Sequence, residues 1–264
     1  MNSLSFVIDF SDKRNSYLSN MLIEDGYTVH GIDADTYNPI DLNDLNKYPH
    51  IIVYSPATAI PAKVLEILCK KSIVFCGNVD EETRLLMCER EIEYHNLLKD
   101  EEYVLKNAIP TAEGALQMAL SNTVTTIKNS IVSVLGFGRV GKYVTKLFKD
   151  VGAAVTVFTG DQTEYAAAYI YADKVYDLRE LNEKALSSNI IINTIPASYL
   201  DNYALLRKDV FILELASKPF GIDLEKCKKF CLNAADAPSL PAKTAPKSAA
   251  LYLKESILKN TQKN

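Results

Sequence analysis

The chain has 264 residues, of which 48% are hydrophobic and 23% charged, and its formal net charge is −4. This composition suits a globular protein with enough chain for one large domain or two modest ones. The small negative charge excludes a global basic field for nucleic acid or anionic lipid. No run of about 18 apolar residues occurs, so no membrane span is expected.

The opening "MNSLSFVIDFSDKR" lacks a basic lead and a small-residue cleavage site, and it reads as a first strand, not a signal peptide. Apolar runs at 4–10, 27–33, 50–56 and 72–77 are interleaved with amphipathic stretches, including Lys13 to Glu24, "PAKVLEILCKK" and "DEETRLLMCER". This β-α alternation predicts a parallel sheet covered on both faces. The following stretch, "IEYHNLLKDEEYVLKNA", fits neither period cleanly. "IPTAEGALQMALSN" (109–122) predicts a bridging helix opened by Pro110 and Thr111, with Leu116, Met118, Ala119 and Leu120 as apolar surface.

A second β-α series begins at Ile131. Its expected strands are "IVSVLG", "AAVTVFT", "NIIINTIP" and "DVFILELA", with "FCLNAAD" as a short fifth, and helices are expected to begin near Arg139, Gln162, Asp177, Tyr199 and Ile222. A closing helix is expected from about Thr244 to Leu258. The fold class is therefore α/β, with two doubly wound parallel-sheet domains, the C-terminal one a Rossmann NAD(P)-binding domain. The boundary is placed at 110, with the Rossmann domain over 111–242 and the bridging helix at 110–122.

The five cysteines, Cys69, Cys76, Cys88, Cys227 and Cys231, are odd in number and form no CxxC pair. Cys227 and Cys231 are spaced to share one face of a predicted helix, but no histidine follows His95 to complete a zinc site. Reduced thiols and no metal are expected.

Gly136-Phe137-Gly138-Arg139-Val140-Gly141 follows a β-branched strand and opens an amphipathic helix. In that context the first glycine permits a tight turn, the second lets the backbone approach a pyrophosphate, and the third lets helix and strand pack closely. The helix N-terminus then offers N–H groups to the anion. The second strand ends in Thr159-Gly160-Asp161. A neutral Thr159 tolerates the 2′-phosphate of NADP whereas Asp161 disfavours it, so NADP and NAD both remain open. "NTIPAS" and "ELASKPFG" fall at the carboxyl ends of later strands, where Thr194, Ile195, Pro196, Ala216 and Ser217 are placed to flank the nicotinamide ribose.

With these loops in hand, the chain resembles the family formed by the A subunit of dipicolinate synthase, a sporulation enzyme. The resemblance is carried by "SDKRN" (11–15), "NAIPTAEGALQMAL" (107–120), "VLGFGRVG" (134–141), "NTIP" (193–196), "LELASKPFGID" (213–223) and "LPAKTAPKSA" (240–249). More distantly it is similar to D-2-hydroxyacid dehydrogenases. The resemblance implies a flavodoxin-like substrate or cap domain over 1–110, completed by the C-terminal helix at about 243–264. It implies NAD(P)-linked oxidation of a dihydrodipicolinate-type precursor to pyridine-2,6-dicarboxylate, in the cytoplasm of the sporulating mother cell. A flavoprotein-like B subunit and a small dicarboxylate are the implied partners, with neither nucleic acid nor membrane, and homo-oligomerisation stays open. The chain departs from the family where Ala-Arg-Ser becomes Thr159-Gly160-Asp161, and where a glycine-rich "PGLPG" type stretch becomes Pro238-Ser239-Leu240-Pro241-Ala242.

Ring aromatisation needs positioning more than a strong base. The only histidines, His30, His50 and His95, lie in the first half, whereas a D-2-hydroxyacid dehydrogenase should place one late. A dicarboxylate calls for cations or helix N-termini. Arg14, Glu113 and Lys247 are the catalytic candidates, and Arg14, Asn78, Thr111, Lys218, Thr244 and Lys247 the substrate-binding ones, with Thr244 expected to cap the closing helix. The rival reading is a nucleotide-binding scaffold for the flavoprotein-like partner.

Overall fold

The computed structural model describes residues 5–32 and 38–261. The outer ends of the first two expected strands, at Leu4 and Asp33, and 262–264 of the expected closing helix lie outside them. The chain divides into two compact units, Met1–Asn107 with Ala245–Asn264, and Ala108–Thr244.

The first unit runs β1 (Ser5–Ile8), α1 (Lys13–Glu24), β2 (Thr28–Gly31), β3 (Ile51–Val53), α2 (Ala62–Ile67), β4 (Ile73–Cys76), α3 (Glu81–Glu89) and β5 (Glu93–Asn96). All pairings are parallel, in the order β2-β1-β3-β4-β5. This is the flavodoxin-like winding, whose order reverses between the first and third strands. The central strands are apolar without alternation because both faces are covered. On one face Phe6, Ile8, Val53 and Phe75 meet Leu18 and Leu22 of α1. On the other, Val7, Ile52 and Val74 meet Val64, Leu65 and Met87 of α2 and α3.

Helix α4 (Glu101–Asn122) corrects the expected bridge. It begins nine residues before Pro110, which sits inside it, so Thr111 and Glu113 are mid-helix and not at a helix start. The start signal is "DEE": Asp100 Oδ1 accepts from the Tyr103 N–H at 3.2 Å, and Glu101 and Glu102 occupy the first turn, where the helix dipole favours them. An interior proline costs about 3 kcal/mol. Burial of Tyr103, Ala108, Ala112, Ala115 and Ala119 along one stripe offsets it.

The second unit runs β6 (Ile131–Leu135), α5 (Arg139–Asp150), β7 (Ala154–Thr159), α6 (Gln162–Ala168), β8 (Lys174–Asp177), α7 (Leu181–Lys184), β9 (Ile190–Asn193), β10 (Phe211–Glu214), α8 (Leu224–Lys229), β11 (Asn233–Asp236) and α9 (Leu240–Thr244). The parallel order β11-β10-β9-β6-β7-β8 is the Rossmann winding, with its reversal between β6 and β9. The helix expected at Tyr199 is only a 3-10 turn at Tyr203–Leu205. The one expected at Ile222 starts at Leu224, because Asp223 caps it through the Lys226 N–H. Edge strand β8 has one buried residue, Val175, which is why its apolar pattern is faint.

Helix α10 (Pro246–Thr261) returns to the first unit, where Ala250, Leu253 and Ile257 are fully buried with Leu18, Leu22 and Tyr103. Ser256 Oγ donates to Asp100, and Lys254 pairs with Asp25 at 2.6 Å. Thr244, expected to cap this helix, instead ends α9.

Candidate functional site

In the second unit the winding reverses where the loops after β6 and β9 meet. Gly136 sits at φ +91°, and a β-carbon there would stand 2.6 Å from Thr194 Oγ1 and 2.7 Å from Ile195 Cγ1. Thr194 Oγ1 donates to the Leu135 carbonyl at 2.7 Å, which pins the β9 loop against the turn. At Gly141 a β-carbon would come 2.3 Å from the Gly136 carbonyl oxygen, so this glycine lets α5 seat on the turn. Gly138 differs: a β-carbon there meets only Glu164 Oε1, at 3.7 Å. Two glycines are therefore demanded by packing, and the middle one leaves bare backbone at the start of a 12-residue helix whose first-turn N–H groups have no intrahelical acceptors. That cradle fits a pyrophosphate.

Glu164 is not among the candidates that the sequence suggests. Asp161, expected near the ribose, accepts from the Glu164 N–H at 2.8 Å and so caps α6. The cap turns the Glu164 side chain back onto the loop, where Oε2 accepts from Thr159 Oγ1 at 2.8 Å and from the Phe137 N–H at 3.3 Å. The D-x-x-E spacing of Asp161 and Glu164, a capping-box pattern, is the signal that could have found it. Beside it lies a pocket of about 370 Å³ lined by Thr159, Gly160, Asp161, Gln162, Tyr165 and Asp177.

Glu214, at the end of β10, is a second residue beyond those candidates. It is buried, and its carboxylate accepts from Asn193 Nδ2 at 2.9 Å and from the N–H groups of Ala216, Gly221 and Ile222 at 2.7–2.8 Å. A β-carbon at Gly221 would stand 2.6 Å from the Ile195 and Ala197 carbonyl oxygens, so there is again no room for one. One carboxylate thus ties the "NTIPAS" and "ELASKPFG" loops together, and it fixes Thr194, Ile195, Pro196, Ala216 and Ser217 along one sheet edge. Lys218 is exposed on the second of these loops.

The substrate candidates are distributed over both units. Thr111, Glu113, Lys218 and Thr244 belong to the second, and Arg14, Asn78 and Lys247 to the first. Thr244 Oγ1 packs where a β-carbon of Gly114 would stand, is buried, and has no hydrogen-bond partner among the described residues. Glu113 is exposed. Lys247 is exposed in the first turn of α10. Asn78 is exposed and accepts from Asn96 Nδ2 at 2.9 Å.

Arg14 needs correction. It does lie just beyond β1, but it presents no open guanidinium. Its side chain is 4% exposed and bound to Asp12, with Nη2 also donating to Ser55 Oγ at 3.0 Å and Nη1 to Tyr103 Oη at 3.4 Å. Burial alone would lower its pKa, but Asp12 outweighs that and raises it. Arg14 lies buried at the edge where β1 and β3 end. Ser11, which donates to Asp9 Oδ2 at 2.6 Å and lies 3.4 Å from Thr58 Oγ1, is the polar group nearer solvent there.

Among the described residues no group of His, Cys, Asp and Glu could hold a metal ion, and no helix is long and apolar enough to cross a membrane.

Comparison with known proteins agrees with the motifs. No family model matches the chain. It is 31% identical over 183 residues to the A subunit of dipicolinate synthase from Bacillus subtilis, a stretch covering 69% of this chain and 62% of that protein. The crystal structure of the A subunit of dipicolinate synthase from Bacillus halodurans matches with a TM-score of 0.86 at 25% identity, over 97% of each chain. A D-lactate dehydrogenase from Treponema pallidum shares the fold more distantly, with a TM-score of 0.63 at 15% identity over 96% of this chain and 95% of that one. The chain is therefore similar to the dipicolinate synthase A subunit in sequence and fold, and it shares its fold with the D-lactate dehydrogenase.

Proposed function

We propose that the protein is a member of the dipicolinate synthase A subunit family. It catalyses NAD(P)-linked oxidation of a dihydrodipicolinate-type precursor to pyridine-2,6-dicarboxylate in the cytoplasm of a sporulating mother cell, together with a flavoprotein-like B subunit. The observation that carries the nucleotide part of this reading is the loop Gly136–Gly141, whose middle glycine is left bare while the other two are filled by packing. The similarity to the dipicolinate synthase relatives supports the substrate and the partner.

The nicotinamide group would supply the hydride acceptor for ring aromatisation. The chain's own part is placement. Gly138 and the N-terminus of α5 receive the pyrophosphate. Glu214, through Asn193, holds Thr194 to Pro196 and Ala216 to Ser217 in the positions that support the nicotinamide ribose. In the second unit Lys218 neutralises a carboxylate of the substrate, and the Thr244 hydroxyl, which has no hydrogen-bond partner among the described residues, supplies a polar contact, as does Thr111. Glu113 accepts the proton released as the ring becomes aromatic. Hydride and proton leave together, so one precursor and one oxidised nucleotide give dipicolinate, reduced nucleotide and a proton.

The test mixes the purified chain, with and without the B subunit, with either nucleotide and freshly generated dihydrodipicolinate, and follows dipicolinate by terbium luminescence. Product that depends on nucleotide and disappears in Gly138→Asp supports the reading. Absence of product with both nucleotides and the partner present rejects it.

A further inference from the structure

We propose that Glu164 reads the adenosine ribose and makes this chain select NAD over NADP. The inference rests on the nucleotide reading above and adds the discriminating residue. In a Rossmann unit the ribose 2′-hydroxyl is met at the end of the second strand, beside the glycine loop, usually by an acidic residue that ends that strand. Here β7 ends in neutral Thr159, and the acidic group arrives from the next helix.

Three observations converge on that group. The carboxylate is anchored at the end of β7 by Thr159 Oγ1 at 2.8 Å and on the glycine loop by the Phe137 N–H at 3.3 Å. Both bonds use Oε2, so Oε1 lies over Gly138, 3.7 Å from where a β-carbon would be. A carboxylate accepts hydrogen bonds and cannot donate them, so it suits a diol and opposes a phosphate.

The pocket beside it is the third observation. Its lining carries Asp161 and Asp177 and no lysine or arginine. Arg179 is the guanidinium nearest this lining in sequence, and it is committed to Asp177 through Nε at 2.7 Å and Nη2 at 2.9 Å. That pair holds the Asp177 carboxyl down at about 2. A 2′-phosphate of nearly two negative charges would therefore face the Glu164 and Asp161 carboxylates across a lining that supplies no cation of its own. Like-charge juxtaposition of this kind rejects the wrong ligand more than it favours the right one.

The experiment is a fluorescence titration of the full chain with NADH and with NADPH, on the wild type, Glu164→Gln and Thr159→Val. The wild type is expected to bind NADH at least about tenfold more tightly than NADPH, and Glu164→Gln to bring the two within about threefold by tightening NADPH. Thr159→Val keeps the charge but loosens its anchor, so NADH binding weakens while NADPH stays excluded. A wild type that binds NADPH as well as NADH overturns the proposal without needing any variant. A preference unchanged in a folded Glu164→Gln protein also overturns it. Binding of neither nucleotide rejects the nucleotide reading itself, a distinct result.

Discussion

Asp12 and Arg14 form a buried two-point ion pair, with Nε donating to Oδ1 at 3.0 Å and Nη2 to Oδ2 at 2.7 Å. Asp12 also caps α1 through the Arg14 N–H, so one carboxylate serves the helix start and the guanidinium together. Burial pushes the Asp12 carboxyl up, but the hydrogen bonds and charge of Arg14, with Ser55, outweigh it and hold it below the ordinary 3.8. A depressed carboxylate stabilises the fold above its unfolded value and loses that contribution as the pH falls through the folded one. Asp12→Asn should therefore cost about 3–5 kcal/mol at neutral pH by leaving Arg14 buried and unpaired. Urea melts should also show a smaller further loss than in the wild type on going from about pH 5 to pH 3. Parallel pH curves for the two proteins would count against this account. Arg14→Ala should lower stability along with any turnover.

The three loop glycines should separate by readout. Gly136→Ala and Gly141→Ala force a β-carbon into contacts of 2.6 Å or less, and each should lose about 1–3 kcal/mol in thermal or denaturant unfolding. Gly138→Ala, at φ −69° and with a β-carbon meeting only Glu164 Oε1 at 3.7 Å, should melt within about 4 °C of the wild type while weakening NADH binding. A Gly138→Ala protein as destabilised as the other two would show that its backbone does not face a ligand.

Replacing Glu214 by Gln keeps the shape but puts an amide donor among the donors of Ala216, Gly221 and Ile222. With about 1–3 kcal/mol for each buried polar group left unpaired, the loop at 215–222 should open. Limited proteolysis is expected to cut Glu214→Gln in this loop well before the wild type. Equal cleavage rates would mean that the carboxylate is not what holds the loop.

The thiols should sort by burial. Cys88 and Cys231 are exposed. Burial pushes the Cys76 thiol up to about 12 and the Cys227 thiol up to about 11. A thiol reagent at pH 8 should label Cys88 and Cys231 in the native protein, and reach Cys76 and Cys227 only after denaturation. Mass mapping of the labelled peptides would expose the error if Cys76 reacted early.

The parts of the fold that are legible in the sequence are those whose signal is local. β1, β3, β4, β6, β7, β9 and β10 are short β-branched or aromatic runs, and burial on both faces makes such runs conspicuous. The spacing of Gly136, Gly138 and Gly141 marks the turn because it falls between a β-branched strand and an amphipathic helix, a context that is read within a few residues. Pro110 misleads because a proline at a first helical position and one inside a longer helix look alike. The stripe from Tyr103 to Ala119 decides between them only once it is packed. The place of Arg14 along the chain is legible but its closed state is not, since its pairing with Asp12 depends on the capping geometry of α1. Glu164 and Glu214 act by folding back across loops whose paths no periodicity encodes.

Helix α10 bears on the order of folding. Residues 108–244 form an uninterrupted unit, whereas the first unit draws on chain from both sides of it. The first sheet stays open on its α1 face until Ala250, Leu253 and Ile257, which follow the second unit in the chain, have joined it. Once the intervening segment has collapsed, it no longer behaves as a long floppy tether, and the entropy of bringing α10 back to α1 falls accordingly.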